Sequence, residues 1–301
     1  MIRNGKLVSP EVRIETTNLC NARCTICPRE KMTRPKRTMD FDTFRELAIQ
    51  CKDLGAEMAT LFGYGEPLVD KGIYQKIAFC NGLGLKTTIT TNASLMDDLK
   101  GEMLLDAGLT EIRFSVHGFG KDYEEVHGLD WDETIDNIDA FLAICGNECV
   151  TNVSVIPLHD EPLAEIRDFW EKRVDYLEIW RPHNWTDGRA FREVKRRKKT
   201  CGRPFNGPIQ INADGKMMVC CFDYDGKLTI GDTNENSIQQ ILEGDELRYI
   251  QDKHMEGNLF GLLCESCDQL NIEDVSPLLY SNRDFELGKT STFKTKIGEE
   301  E

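Results

Sequence analysis

The residues best suited to chemistry lie in one short stretch, Cys20-Asn21-Ala22-Arg23-Cys24-Thr25-Ile26-Cys27, whose three thiols are spaced Cys-x3-Cys-x2-Cys. Thiolates are soft ligands that select zinc or iron–sulfur clusters. A structural zinc is closed by four ligands, usually as two separated pairs. Here there are three thiols in one loop and no nearby fourth Cys or His, which leaves one position of a cubane cluster unfilled. An open iron can bind a small molecule. The spacing therefore favours an iron–sulfur loop over structural zinc. A second grouping has Cys201, thirteen residues, Gly215, four residues and Cys220, and later Cys264-Glu265-Ser266-Cys267. Four soft ligands from a hairpin and a CxxC turn could close a zinc ribbon or an iron–sulfur cluster. Spacing favours Cys220 over the adjacent Cys221, and the pair leaves the choice open.

These residues need elements to hold them. The run Val12-Arg13-Ile14-Glu15-Thr16 alternates as a strand that feeds the first cysteine loop. Beyond it, 29–37 is basic and rich in turn formers, and Asp40 caps a helix over 41–54 that ends at Gly55. The pattern then predicts strands at 58–62, 85–90, 111–116, 150–156 and 174–180, and helices at 72–82, 95–106, 131–145 and 161–173. Six strands alternating with helices imply parallel βαβ crossovers. Periodicity alone does not separate an open doubly wound sheet from a barrel, but the first βα turn lacks GxGxxG, so a dinucleotide fold has no support. After about residue 185 the pattern changes. Ala213-Asp214-Gly215 joins 208–212 to 216–221 as a hairpin, and short helices follow at 237–243 and 245–254. From about 275 the chain is polar and aperiodic, which predicts a flexible tail over 275–301.

The chain has 301 residues and carries 52 acids against 37 bases, a net charge of −15. That excess argues against broad nucleic-acid binding, although a local basic pocket could still hold a small phosphorylated ligand. No apolar run is long enough to cross a membrane and Met1 to Lys6 has no signal-peptide character, so we expect a cytoplasmic protein. Twelve cysteines in that compartment suggest metal binding or catalysis, with Cys51, Cys80, Cys145 and Cys149 read as small buried hydrophobes. The run Lys195-Arg196-Arg197-Lys198-Lys199 reads as a solvated face, or as a docking patch for an acidic electron donor.

With its CxxxCxxC loop the sequence resembles the radical S-adenosylmethionine (SAM) superfamily, whose site-differentiated [4Fe–4S] cluster binds SAM through the methionyl amine and carboxylate. The resemblance assigns Cys20, Cys24 and Cys27 as metal ligands and places Ile26, where the family commonly has an aromatic, beside the adenine. Gly63-Tyr64-Gly65-Glu66-Pro67 resembles the family's GGE motif and gives Gly65 and Glu66 to the SAM ammonium, with Tyr64 departing from the first glycine. Thr90-Thr91-Asn92-Ala93 is similar to the Thr-Asn-Gly turn, and makes Asn92 a SAM contact or a turn cap. Ser115 would lie near the ribose or carboxylate of SAM, and Val155 or Ile156 against adenine or within plain barrel core. Tyr64, His117, Arg181 and His183 are candidate substrate contacts. His117 reads otherwise as a surface-loop residue.

The second cysteine grouping resembles the auxiliary-cluster domain of SPASM/twitch enzymes. No further cysteine follows Cys267, so the shortened twitch form is implied, with Cys201, Cys220, Cys264 and Cys267 around one auxiliary [4Fe–4S] cluster. The implied fold is α/β: a partial (β/α)6 TIM-like barrel over 10–190 and a small β-hairpin/helix auxiliary domain over 195–272. The implied activity is reductive cleavage of SAM to a 5′-deoxyadenosyl radical, fed by a flavodoxin- or ferredoxin-type donor, and hydrogen abstraction from a substrate. An auxiliary cluster with four thiolates suits electron acceptance, which favours oxidation of a small polar carbohydrate or aminocyclitol. Alternatives are redox-neutral epimerisation, with Cys145, Cys149 or Cys221 returning hydrogen, and modification of a peptide. From another class, the chain could be a non-catalytic zinc or iron–sulfur module.

Overall fold

The computed structural model describes residues 1–158, 163–185, 188–195, 197–272 and the backbone of 277–279. Two short strands, β1 (Ile2–Arg3) and β2 (Lys6–Leu7), pair antiparallel ahead of the main sheet. The alternating run becomes β3 (Glu11–Ile14), followed by α1 (Phe41–Asp53), β4 (Met58–Leu61) and α2 (Ile73–Gly82). Then come β5 (Lys86–Thr91), α3 (Asp98–Asp106), β6 (Glu111–Ser115), α4 (Lys121–His127) and α5 (Trp131–Cys145). The series closes with β7 (Val150–Val155), α6 (Leu163–Trp170) and β8 (Tyr176–Trp180).

Strands β3 to β8 lie side by side in sequence order and all parallel, from Glu11↔Met58 at one end to Val155↔Ile179 at the other. Parallel neighbours need crossovers, and the helices supply them while covering the sheet. Phe44 and Leu47 of α1, Ile73 and Ile77 of α2, and Ile138 and Phe141 of α5 are buried against Ile14, Leu61, Ile89 and Phe114. The arrangement is the partial α/β barrel expected, with one main core and a small separate cluster of Met32, Tyr64 and Tyr224.

Local signals set the helix starts. The Asp40 carboxylate accepts from the Thr43 N–H at 2.9 Å and begins α1, and Asp97 caps Lys100 and delays α3 to Asp98, three residues past the predicted start. Helix α4 was not predicted: seven residues between two glycines carry too little periodicity to register.

The second half adds α7 (Arg203–Asn206), β9 (Ile209–Ile211), β10 (Lys216–Met218), β11 (Thr229–Asp232), α8 (Ile238–Leu242) and α9 (Asp245–Glu256). The hairpin does not stand apart from the barrel. Strand β9 pairs parallel with β3, Val12 opposite Ile209 and Ile14 opposite Ile211, and β10 and β11 extend the same sheet antiparallel. Glu161, where α6 was expected to begin, and most of the tail lie outside the described residues. Within that tail β12 (Pro277–Leu279) pairs antiparallel with β8. No helix among the described residues is long and apolar enough to cross a membrane.

Candidate active site

The carboxyl ends of the parallel strands gather the motifs, as expected for α/β proteins. The loop after β3 holds Cys20, Cys24 and Cys27, all partly exposed. It is fixed by its backbone to α4, because Thr25 N–H donates to the Val126 carbonyl at 2.8 Å and Arg23 N–H to that of His127 at 3.3 Å. From the far side Arg189 donates to the carbonyls of Thr25, Ile26 and Cys27. Ile26 itself is buried. Burial pushes all three thiols up, and for Cys24 the neighbouring Cys27 and Cys20 sulfurs add to the effect. Metal has to displace those protons.

The loop after β4 packs directly on the segment leading into the cysteines. A Cβ on Gly65 would stand 2.3 Å from the Thr17 carbonyl oxygen and 2.7 Å from that of Leu19, so only glycine fits. Glu66 is buried, and its carboxylate accepts from Thr91 Oγ1 at 2.7 Å, Asn92 N–H at 2.8 Å and Leu68 N–H at 3.0 Å. All three donors are neutral, and burial raises the Glu66 carboxyl to about 7. A buried carboxylate without a cation is suited to an ammonium group. Asn92 donates to Asn21 Oδ1 and accepts from Ser94, so it both caps its own turn and ties that turn to the cysteine loop. Ala93 has φ of +60°, the left-handed position where the resembling motif has glycine.

Ser115 and His117 follow β6. His117 is buried rather than on a surface loop: its Nδ1 accepts from Ile156 N–H, and its Nε2 lies 3.2 Å from Ser115 Oγ. Burial lowers its imidazole to about 4. Val155 sits in the apolar core, whereas Ile156 is only partly buried. Tyr64 donates its hydroxyl to the Cys221 carbonyl and meets the Trp185 ring at a tilt and the Tyr224 ring edge-on, so it bridges barrel and hairpin segment. Arg181 is exposed. His183 lies 4.2 Å from the Trp185 ring and 4.4 Å from Phe222, and His183 Nε2 and Trp185 Nε1 are buried atoms with no hydrogen-bond partner. Burial, then Arg192, His117, Arg189 and Arg203, lowers the His183 imidazole to about 3.

Two expected thiols are misplaced for hydrogen return. Cys145 ends α5 beside Thr151 and Asp175, and Cys149 precedes β7. Both therefore sit at the amino ends of the strands, about 20 Å from the cysteine loop across a six-residue strand. Burial raises both thiols, to about 12 for Cys149, and of the three candidate hydrogen donors these two lie away from the cysteine loop. Cys221 is at the correct end. A hydrogen bond from Cys220, aided by the Arg203 guanidinium at 2.9 Å, holds the Cys221 thiol down, and Cys220 is correspondingly raised.

The later CxxC turn has its own clamp. Arg197 donates to the carbonyls of Cys264 and Glu265, the Lys198 N–H to that of Leu270, and Lys199 Nζ to that of Met255 at 3.1 Å. Of the basic run, Arg197 folds onto this turn, whereas Lys195, Lys198 and Lys199 are exposed, as a solvated face requires; Arg196 lies outside the described residues. Burial raises the Cys264 and Cys267 thiols, with the Cys201 sulfur adding to both and Cys267 to Cys264. Among the described residues no three His, Cys, Asp or Glu side chains converge on a point suited to one metal ion. In a cubane each iron takes its own thiolate, so the sulfurs surround the cluster instead of meeting at one ion. The all-thiol donor sets at both places fit that requirement.

Sequence reasoning missed the centre that joins these parts. Glu15, fully buried past the end of β3, receives both Arg34 nitrogens at 2.9 and 3.1 Å, the Tyr64 N–H at 3.0 Å and the Ala213 N–H at 2.9 Å. Arg34 also donates to the Tyr224 carbonyl. The alternating pattern made Glu15 an ordinary strand-end residue, and no local signal pairs it with Arg34.

Comparison with known proteins agrees with this geometry. Residues 14–169 match the radical SAM superfamily, and residues 201–268 match the SPASM iron–sulfur cluster-binding domain. A GTP 3′,8-cyclase of Alkaliphilus metalliredigens is 34% identical over 171 residues, 54% of this chain and 52% of that protein. One of Campylobacter fetus is 29% identical over 180 residues, 56% and 55% respectively. The match thus spans about half the length of these curated relatives. In fold, the chain is similar to BtrN in complex with AdoMet and 2-DOIA, with a TM-score of 0.65, 17% identity, and 91% of this chain and 96% of that one covered. It is also similar to Streptococcus suis SuiB bound to precursor peptide SuiA, with a TM-score of 0.67, 18% identity, and 88% and 70% covered.

Proposed function

The chain belongs to the radical SAM superfamily and carries a SPASM iron–sulfur domain, and from that premise we propose that it oxidises a small polar substrate held between its two cysteine sites. When bound, SAM and the two clusters supply reductive C–S cleavage, hydrogen abstraction and electron acceptance. Cys20, Cys24 and Cys27 hold the first cluster. Cys201, Cys264, Cys267 and one of Cys220 and Cys221 hold the second. Gly65 lets its loop pack on the segment leading into the cysteines, and with Glu66 it would accept from the cofactor's ammonium.

The observation that carries the substrate reading is the pair of buried, unpartnered nitrogens, His183 Nε2 and Trp185 Nε1. They stand in an aromatic patch with Tyr64 and Phe222, against Cys27 on one side and next to Cys221 on the other. A buried polar atom without a partner is costly until a ligand supplies one. A substrate hydroxyl would do so. Oxidation of that alcohol to a carbonyl removes one hydrogen atom, one electron and one proton in all, and a cluster held by the second set of thiols would supply the electron acceptor.

Deuterium transfer into 5′-deoxyadenosine from deuterated polyols and aminocyclitols tests this. Trp185→Phe and His183→Ala should raise KM for the active compound about tenfold, the order expected for one lost hydrogen bond, at unchanged iron content. An unchanged KM in both variants would refute the assignment.

A nucleotide is the second reading, favoured by the cationic surround of His183, which includes Arg189, Arg192 and Arg203. The curated relatives are named for GTP cyclisation, but the match covers about half of each chain. Turnover of GTP to a cyclised product would select this reading over the first. For electron supply, we place an acidic flavodoxin- or ferredoxin-type donor at the roughly 470 Å³ groove beside Cys20, where the exposed Arg23 and Lys36 carry the positive charge. Twelve unpaired cysteines are consistent with work in the reducing cytoplasm.

A further inference from the structure

One buried side chain lies against the first cysteine loop and is not accounted for by SAM or substrate. His127, the last residue of α4, is 1% exposed and stacks on Tyr123, with ring centroids 4.4 Å apart. Its Nδ1 is 3.4 Å from Cys24 Sγ, and its Nε2 is 3.0 Å from the backbone nitrogen of His117. A backbone amide can only donate. Nε2 must therefore be the acceptor, which leaves the ring proton on Nδ1, directed at the sulfur. The donor to Nε2 is itself held in place, because the His117 ring is fixed by Ile156 N–H and Ser115 Oγ. The two imidazoles thus form a relay of orientation from the ends of β6 and β7 to Cys24.

We propose that His127 is a positioning and tuning residue that donates an N–H···S hydrogen bond to the Cys24 thiolate and raises the reduction potential of the cluster held there. Adding an electron increases negative charge on the cluster and its sulfurs, so a donor at sulfur stabilises the reduced state more than the oxidised one. Only one electron is transferred, from an external donor, and no atom moves. The inference rests on the reading that Cys20, Cys24 and Cys27 ligate a cluster.

The test is a dithionite redox titration of the reconstituted full chain, followed by electron paramagnetic resonance. The first cluster is identified as the signal that SAM addition perturbs. His127→Phe keeps the stacking ring and removes the donor. It should make reduction about tenfold less favourable, which is about 59 mV more negative for a one-electron couple. His127→Asn, whose amide nitrogen can take the Nδ1 position, should restore most of the potential. In the unaltered protein labelled with ¹⁵N-histidine, pulsed spectra of the reduced cluster should show coupling to one histidine nitrogen. An unchanged potential in a fully loaded His127→Phe protein would overturn the proposal, as would equal shifts in both variants or absence of the ¹⁵N coupling. Iron and sulfide content separates the failures: a chain that binds no cluster overturns the underlying reading as well, whereas a loaded cluster of unchanged potential overturns this inference alone.

Discussion

The first cysteine site draws three thiols from a single eight-residue loop, whereas the second, as we propose it, takes its thiols from segments around 201, 220 and 264–267. Both loops are braced in the same manner. Arg189 donates to the carbonyls of Thr25 to Cys27, and Arg197 to those of Cys264 and Glu265. The difference lies in what brings the sulfurs together. At the first site chain connectivity does it, assisted by two backbone bonds to α4. At the second, tertiary structure does it, through β9 pairing with β3 and the Glu15–Arg34 centre that ties the barrel to Ala213 and Tyr224. A local site should tolerate loosening of the sheet edge better than an assembled one.

The largest effects should come from removing one ligand at each site. Cys24→Ala and Cys264→Ala should each lose about four of about eight irons. Only the first should abolish cleavage of SAM; the second should retain it and lose substrate turnover. If both variants lose cleavage equally, the two sites are not functionally separate. Next, Arg34→Met leaves the Glu15 carboxylate buried without its cation, which should cost about 3–5 kcal/mol in denaturant unfolding. Iron should leave the assembled site before the loop site, and the reverse order would break the comparison. Arg189→Ala and Arg197→Ala each remove charged hydrogen bonds of about 1.5–3 kcal/mol. Each should speed iron release at its own site only, as timed with a chelator.

The smallest effect is one of pH. Glu66 has a carboxyl raised to about 7, so it is increasingly protonated as pH falls through 7 and cannot then accept strongly from an ammonium. SAM affinity, measured by equilibrium binding to the reconstituted protein, should fall about tenfold per unit below pH 7 and level off above it. The same shift has a stability consequence. With its folded value above the ordinary 4.5, the group destabilises the SAM-free protein progressively as pH rises from 4.5 to 7.

The contrast between the sites also explains what was legible in the sequence. The first site was readable because three ligands at fixed spacing, an alternating strand and a Gly-Glu turn are all local patterns. The alternation of parallel strands and helices followed from periodicity, whereas the barrel and the role of the glycine at 65 followed from the resemblance carried by the cysteine loop. Residues that act across long separations left no such trace. Glu15 and Arg34 meet through a turn that follows the cysteines, and Arg189 reaches Cys27 from 162 residues away. His127 belongs to a seven-residue helix too short to show a period. Continuity of the sheet through β9 was also hidden, because a three-residue strand reveals neither its partner nor its direction. Cys145 and Cys149 show the converse: residue type left them open as buried hydrophobes or hydrogen donors, and only topology places them, buried, at the amino ends of the strands.

Anaerobic reconstitution followed by incubation with SAM and dithionite tests the central claim most directly, with iron, sulfide and 5′-deoxyadenosine measured on the same sample. The expected result is about eight irons and about eight sulfides per chain, with 5′-deoxyadenosine formed by the unaltered protein and absent from Cys24→Ala. A colourless protein that holds zinc without sulfide and leaves SAM intact would contradict it.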